Sequence, residues 1–298
     1  MELQPTFVNN IHDVYGDAGK LWLAQLPTHI DTLSKYWNFR FIDQVPRLTY
    51  SFVSLVQIND SDEIVILKIA PDAERILAEA HWLQSFKKGV PNIYAVDKEK
   101  NAFLLEYLQP GQSLKSLVKI GQDETATRII CQAILALQSE QQNNFHFKHL
   151  SELGKDLVHL KGHLDHHSLS KVQSLFTSLT ADRSHDLLLH GDLHHDNILS
   201  HNSTWKVIDP HGYIGDPVAE VGAMLRNPTD SFPTDHPLSS IIETRLRILV
   251  EELPFDAQRI KAWAYCMTML SAAWNIEDFG TDAKFEIEIA TAIDQVKL

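Results

Sequence analysis

The chain is short of cysteine, of long apolar runs and of positive charge, and each shortage excludes something. Its two cysteines, Cys131 and Cys266, lie far apart and match no metal-ligand spacing. No disulfide framework is therefore expected, and a reducing compartment suits the chain better. Cys131 falls within the apolar run RIICQAILAL, the setting of a buried structural thiol. No segment is apolar over the length needed to span a bilayer. The stretch MELQPTFVNNIHDVYG has neither the basic start nor the apolar centre of a signal peptide, so a cytoplasmic location is expected. A formal net charge of -13 speaks against nucleic acid and anionic membrane surfaces as partners. An acidic surface instead attracts a cationic or polar small molecule. No internal repeat is visible, and the sequence leaves the oligomeric state open.

What is present points to a globular protein: 298 residues and 44% apolar content are ample for a core, in one large domain or two lobes. RLTYSFVSLVQI and DEIVILKIA are apolar and β-branched around the polar NDSD, the pattern of a hairpin. PDAERILAEAHWLQSF has helical periodicity and opens on proline and acidic residues, which suit a helix N-terminus. NIYAVDKEKNAFLLEYL reads as two more strands around DKEKN. Beyond LQPGQS the texture becomes helical in ETATRIICQAILALQSE, LSKVQSLFTSLTADR, IIETRLRILVEEL and AQRIKAWAYCMTMLSAAW. This order predicts an α+β protein, with a small β-rich lobe over residues 1–108 and a larger, mainly helical lobe over 109–298.

Chemistry concentrates in LLLHGDLHHDNILS, residues 187–200. His190, Asp192, His194, His195 and Asp196 are all metal-ligand types. Their order, H-x-D-x-H-H-D, is not the H-x-H-x-D-H of dinuclear zinc hydrolases, and each ligand in such a loop has its own direction. HGDLHHDN instead has the H-x-D-x-x-x-x-N spacing of a kinase catalytic loop. On that reading Asp192 accepts the proton of the attacking hydroxyl and Asn197 holds magnesium. The following strand WKVIDP delivers Asp209 as a second metal-binding carboxylate. Phosphoryl transfer also needs a cation on the donor's phosphates. Lys68, alone among apolar neighbours in IVILKIA, suits that task if it has a partner. Glu79 is the candidate partner, with Glu74 as the alternative. FLLEYL supplies a hinge strand whose backbone near Glu106, Tyr107 and Leu108 can bond adenine.

Residues His190–Pro228 carry HGDLHHDN, then IDP-x-G-x-x-GDP, then a helix start ending in LRNP. They resemble the aminoglycoside phosphotransferase superfamily, and within it the streptomycin and hydroxyurea resistance kinases. SAAWNIEDFG near residue 275 is similar to that branch's closing motif. The resemblance implies a protein-kinase-like bilobal fold, ATP and Mg2+ as cofactors, and a small-molecule hydroxyl as acceptor. It implies Asp192 as catalytic base, Asn197 and Asp209 on magnesium, and Lys68 with Glu79 anchoring phosphate. Asp216 and Glu220 would brace the metal loop and the next helix. Trp274, Glu277 and Asp278 would form an acceptor wall, an indole face and carboxylates suiting guanidinium or ammonium groups. Two departures stand out. LTYSFVS, around Tyr50 and Ser51, occupies the place of the glycine-rich loop without a glycine, and Asp196 stands where the family more often has a small residue.

Plainer readings exist beside these. Lys68 is also what an edge strand uses against aggregation. Trp274 is also a core residue, and Glu277 and Asp278 also suit a helix end. In HLKGHLDHH, His159, His163 and His167 recur every four residues, a zinc spacing, but the stretch is polar and reads as a solvated helix end. Rival functions are a kinase of a cellular metabolite or sugar, and a nucleotide-binding regulator without turnover. A protein kinase is disfavoured, because GYIGDPVAEVG follows Asp209 too soon for an activation segment ending in A-P-E.

Overall fold

A computed structural model of the protein describes residues 2–46, 48–139, 141–142, 145–233 and 236–298. The chain forms two units. One holds the residues up to Gln84 together with Pro91–Leu108, the other Ser85–Val90 with Gln109–Leu298.

The first unit opens with a 33-residue helix, α1 (Pro5–Trp37), which the strand-rich sequence pattern does not announce. Its buried Phe7, Ile11, Leu23, Leu26, Ile30 and Leu33 do recur at helical spacing. A kink at Gly16 (φ 55°, ψ -133°) and an interior Pro27 interrupt that stripe, and both residues read locally as helix breakers. Then follow β1 (Phe39–Gln44), β2 (Phe52–Ile58), β3 (Ile64–Ile69), α2 (Ala73–Gln84), β4 (Ile93–Asp97) and β5 (Ala102–Glu106). The strands make one antiparallel sheet in the order β1-β2-β3-β5-β4. β2 and β3 form the expected hairpin, with Val53 opposite Lys68.

Alternation along β3 sorts its side chains. Val65, Leu67 and Ile69 join Phe7, Leu26, Phe39, Phe52 and Val56 in one buried cluster, so α1 covers that face. Burying each large apolar side chain contributes about 1.5–3 kcal/mol. Lys68 must then point to the opposite face, where α2 lies.

The second unit contains β6 (Pro110–Ser113), α3 (Lys115–Lys119), α4 (Asp123–Gln138), β7 (Lys148–His149), a 3₁₀-helix over Leu150–Leu160, and α5 (His166–Leu179). It continues through β8 (Leu187–Leu189), β9 (Ile198–His201), β10 (Thr204–Val207), β11 (Tyr213–Gly215) and α6 (Val221–Leu225) to α7 (Leu238–Glu252), α8 (Ala257–Phe279) and α9 (Lys284–Gln295). Its strands form two small sheets, β10-β9-β6 and β7-β11-β8. α8 is buried without a break from Trp263 to Ala273, as a helix enclosed on all sides must be. It packs against α5, α6, α7, α9 and the 3₁₀-helix. Among the described residues no helix is long and apolar enough to cross a membrane.

The spaced histidines do not share a helix face. His159 lies in the 3₁₀-helix, and Asp165 caps α5 by accepting from the His167 and Ser168 N–H groups at 2.8 and 3.0 Å. His163 sits between the two helices.

Candidate active site

In the first unit, Lys68 Nζ from β3 lies 2.7 Å from both carboxylate oxygens of Glu79 on α2. Both side chains are buried. Glu74, the alternative partner, lies in the first turn of α2. The connection between β1 and β2 has no glycine, and α1 pins it. Gln4 donates to the Val45 carbonyl at 2.8 Å and accepts from the Leu48 N–H at 3.1 Å, while Asn10 donates to the Thr49 carbonyl at 3.3 Å. Ser51 is half-buried at the end of this connection, beside Tyr50, whose ring lies under the Arg75 guanidinium. Glu106 ends β5. Its carboxylate accepts from the backbone and side-chain N–H groups of Asn92, and its own N–H donates to the Asn92 carbonyl at 2.9 Å. Leu108 is buried.

In the second unit, the loop between β8 and β9 is built around His190. The imidazole is fully buried, and burial pushes it down to about 4, so it is neutral at pH 7. Nδ1 accepts from the Asp192 N–H at 3.2 Å, which leaves Nε2 to donate to the Ile208 carbonyl at 2.8 Å. One ring thus ties the loop to the segment that carries Asp209. The His190 carbonyl accepts from His211 and Gly212 at 2.9 and 3.1 Å, adding a second tie. Gly191 must be glycine: φ is +83°, and a Cβ would lie 2.5 Å from the Tyr213 ring. Glu220 receives the His190 and Gly191 N–H groups at 2.5 and 3.2 Å. Burial pushes Glu220 up to about 7 in spite of these two donors. Asp216 caps the turn at Val218 and binds Arg259 and the Trp263 indole N–H, so both carboxylates brace the frame.

Three residues with oxygen-bearing side chains, Asp192, Asn197 and Asp209, are carried by this frame. Asn197 Nδ2 donates to the Asp192 carbonyl at 2.9 Å, and the Asn197 carbonyl accepts from the Ile208 N–H at 2.9 Å. Asn197 therefore lies beside both Asp192 and the Ile208–Asp209 segment. Its amide nitrogen is committed, which turns Oδ1 into the atom able to meet a cation. Asp209 is exposed and holds φ +55°, a left-handed conformation rare for a residue other than glycine and frequent at functional sites. An amide oxygen and a carboxylate are hard donors that suit magnesium, which keeps waters and substrate phosphates as its other ligands. Among the described residues, no three His, Cys, Asp or Glu side chains are grouped so as to hold a metal by themselves.

Asp192 is held on both oxygens. Oδ1 lies 3.0 Å from Arg226 Nη2, and Oδ2 lies 3.3 Å from His194 Nε2. Burial opposes its charged form. The hydrogen bond from His194, then the Arg226 guanidinium and the His211 ring, outweigh that and hold it well below the usual carboxylate range. His195 is buried, and burial with the nearby Arg245 charge pushes its ring well down. Asp196 is not a loose charge: Lys115 Nζ lies 2.7 Å from it and 3.2 Å from Asp230.

The remaining expected residues lie on α8. Trp274 donates its indole N–H to Asp156 at 3.0 Å, so its polar edge is committed to the 3₁₀-helix. Glu277 is exposed, 3.4 Å from His159 Nε2, and Asp278 is exposed beside it. No motif in the sequence assigns Arg226, Lys115 or Arg245 a role. Arg226 lies inside the LRNP segment, the one signal that could have drawn attention to it.

The family model described as aminoglycoside/hydroxyurea antibiotic resistance kinase matches residues 37–279. A streptomycin 3''-kinase of Klebsiella pneumoniae is 30% identical over 231 residues, which cover 75% of this chain and 84% of that protein. A streptomycin 6-kinase of Streptomyces glaucescens is 25% identical over 273 residues, covering 89% and 87%. Among solved structures, the aminoglycoside phosphotransferase APH(4)-Ia superposes with a TM-score of 0.62 at 14% identity, over 90% of this chain and 98% of that one. That likeness shows the fold, a protein-kinase-like α+β fold. The frame around His190 lies within the matched span, and the chain belongs to the aminoglycoside/hydroxyurea antibiotic resistance kinase family of phosphotransferases.

Proposed function

We propose that this chain transfers the γ-phosphoryl group of ATP, with magnesium, to a hydroxyl of a streptomycin-like aminoglycoside. Hydroxyurea is the next acceptor to consider. The supporting observation is the Asp192 carboxylate, kept charged and held from both sides, in a loop whose Asn197 amide donates to the Asp192 carbonyl and whose His190 ring is bonded to Ile208, the neighbour of Asp209. Streptomycin leads because two matched relatives bear the name streptomycin kinase.

The roles follow from what each residue is able to do. The transition state of phosphoryl transfer is loose, so the acceptor hydroxyl needs orientation first and loses its proton late. A carboxylate of low proton affinity suits this: Asp192 accepts the hydroxyl's hydrogen bond, aims its oxygen and receives the proton at the end. Asn197 Oδ1 and the Asp209 carboxylate are the metal ligands. Magnesium, when bound, would neutralise charge on the donor's phosphates. Lys68 would meet those phosphates as well, with Glu79 setting its direction, and Ser51 would offer a hydroxyl. The Glu106 N–H is occupied, which leaves the backbone of Tyr107 and Leu108 for adenine. For the acceptor's cationic groups, Glu277 and Asp278 stand exposed at the C-terminal end of α8, where the helix dipole also favours positive charge. Trp274, bound to Asp156, is assigned to shaping that end. Two buried free thiols suit a cytoplasmic setting.

The test is ATP consumption with magnesium across streptomycin, other aminoglycosides, hydroxyurea and cellular polyols, with the phosphorylated product identified by mass. Turnover with streptomycin supports the proposal. Turnover with a polyol alone would move the chain to metabolite kinases, and ATP binding without any product would make it a regulator.

A further inference from the structure

We infer that Arg226 is a positioning residue of the transfer reaction, one that clamps Oδ1 of Asp192 and so sets which carboxylate oxygen faces the acceptor hydroxyl. The inference rests on the reading of Asp192 as base.

The geometry has three layers. Arg226 Nη2 lies 3.0 Å from Asp192 Oδ1 while Nη1 lies 3.4 Å from the Ala223 carbonyl, so the flat guanidinium is held at both prongs. The side chain is 14% exposed, which limits competition from water. The backbone that carries it is fixed in turn by Arg245, which is completely buried. Arg245 Nη1 donates to the carbonyls of Met224, Leu225 and Asn227 at 2.8, 3.4 and 2.7 Å, flanking Arg226 on both sides. Its Nε and Nη2 bind the two oxygens of Asp123 at 3.0 and 2.6 Å, and the Phe232 ring lies 4.9 Å beneath it. Asn227 adds a bond of 3.0 Å to the Ala223 carbonyl. A buried arginine thus immobilises the segment from which a second arginine reaches the base.

On the other carboxylate oxygen, His194 is aimed by the Asp196 N–H, which donates to Nδ1 at 3.2 Å. The carboxylate is gripped on both sides and cannot swing about its Cβ–Cγ bond. A lysine at position 226 would keep the charge and lose the second prong, which separates orientation from charge alone.

The experiment compares Arg226→Ala, Arg226→Lys and Asp192→Asn on streptomycin, or on whichever hydroxyl acceptor of the screen turns over. Arg226→Ala should lower kcat by about 10²-fold, the scale of a small misplacement of reacting groups. KM for both substrates should stay within about threefold, since the interaction lost is with the base and not with substrate. ATP affinity measured by calorimetry should be unchanged. Added guanidinium ion should restore part of kcat in Arg226→Ala and none in Asp192→Asn. Arg226→Lys should stay close to Arg226→Ala, and it carries the kcat and KM comparison should the alanine variant not fold. The inference is overturned by any of three results: a wild-type kcat in Arg226→Ala, a rise in KM with kcat intact, or failure of guanidinium to rescue a variant that melts like wild type. Full turnover of Asp192→Asn would instead remove the base assignment beneath it.

Discussion

The Lys68–Glu79 pair invites a perturbation whose two versions act in opposite directions on stability. The ammonium sits 2.7 Å from both oxygens of a carboxylate, with side-chain exposures of 10% and 9%. Desolvating two ions costs several kcal/mol each, and their attraction roughly repays it. Removing one partner leaves the other's desolvation cost standing. Glu79→Ala should therefore destabilise the first unit by about 3–5 kcal/mol, a large part of the total stability of an ordinary domain. Replacing both, Lys68→Met with Glu79→Leu, removes both charges and fills the same volume. The double variant should match wild type or exceed it by about 1–4 kcal/mol, while ATP affinity is lost with the ammonium. Urea titration followed by tryptophan fluorescence suits the test, because Trp82 lies on α2 three residues beyond Glu79 and is fully buried. Calorimetry supplies the ATP affinity. A Glu79→Ala cost below about 1 kcal/mol would mean that Lys68 does not depend on this partner. A double variant that still binds ATP tightly would refute the assignment of Lys68 to phosphate.

Two further predictions concern the frame of the loop. Gly191→Ala places a Cβ 2.5 Å from the Tyr213 ring at φ +83°, so it should cost at least about 1–2 kcal/mol in urea unfolding and lower kcat by displacing Asp192. Wild-type kinetics in this variant would show that the loop tolerates a shift. Glu220 is pushed from an ordinary value of 4.5 up to about 7 by burial, so the folded state holds its proton more tightly than the unfolded chain does. Its stabilising contribution is then fully present below 4.5 and is lost as pH rises towards 7, at up to about 1.4 kcal/mol per pH unit. Glu220→Gln should flatten that slope in stability measured from pH 4.5 to 7, and an unchanged slope would assign it to another group.

What the sequence discloses and what it hides divide along chain separation. HGDLHHDN and the strand ending in Asp209 lie within about twenty residues, so their order alone shows a kinase loop. Lys68 and Glu79 are eleven apart, bridged by one strand and one helix whose periods are plain to read. Arg226 meets Asp192 across 34 residues and Arg245 meets Asp123 across 122, distances over which no local pattern speaks. The same holds for Trp274, whose partner Asp156 is 118 residues away. Asp196 stands out in the sequence as a departure from the family, and its partner Lys115 lies in α3, too far along the chain for a local pattern to pair them. The helix α1 is hidden in the sequence for another reason. Its apolar stripe is regular, but Gly16 and Pro27 interrupt it where local propensity is strongest against helix, and packing on the sheet overrides that propensity.

The most direct test of the account is Asp192→Asn, assayed for transfer from ATP to streptomycin beside calorimetric ATP binding. The substitution keeps size and shape and removes the charged acceptor to which the Arg226 and His194 contacts are directed. The account predicts ATP affinity close to wild type, with kcat reduced by about 10²-fold or more. Wild-type turnover in that variant would contradict it.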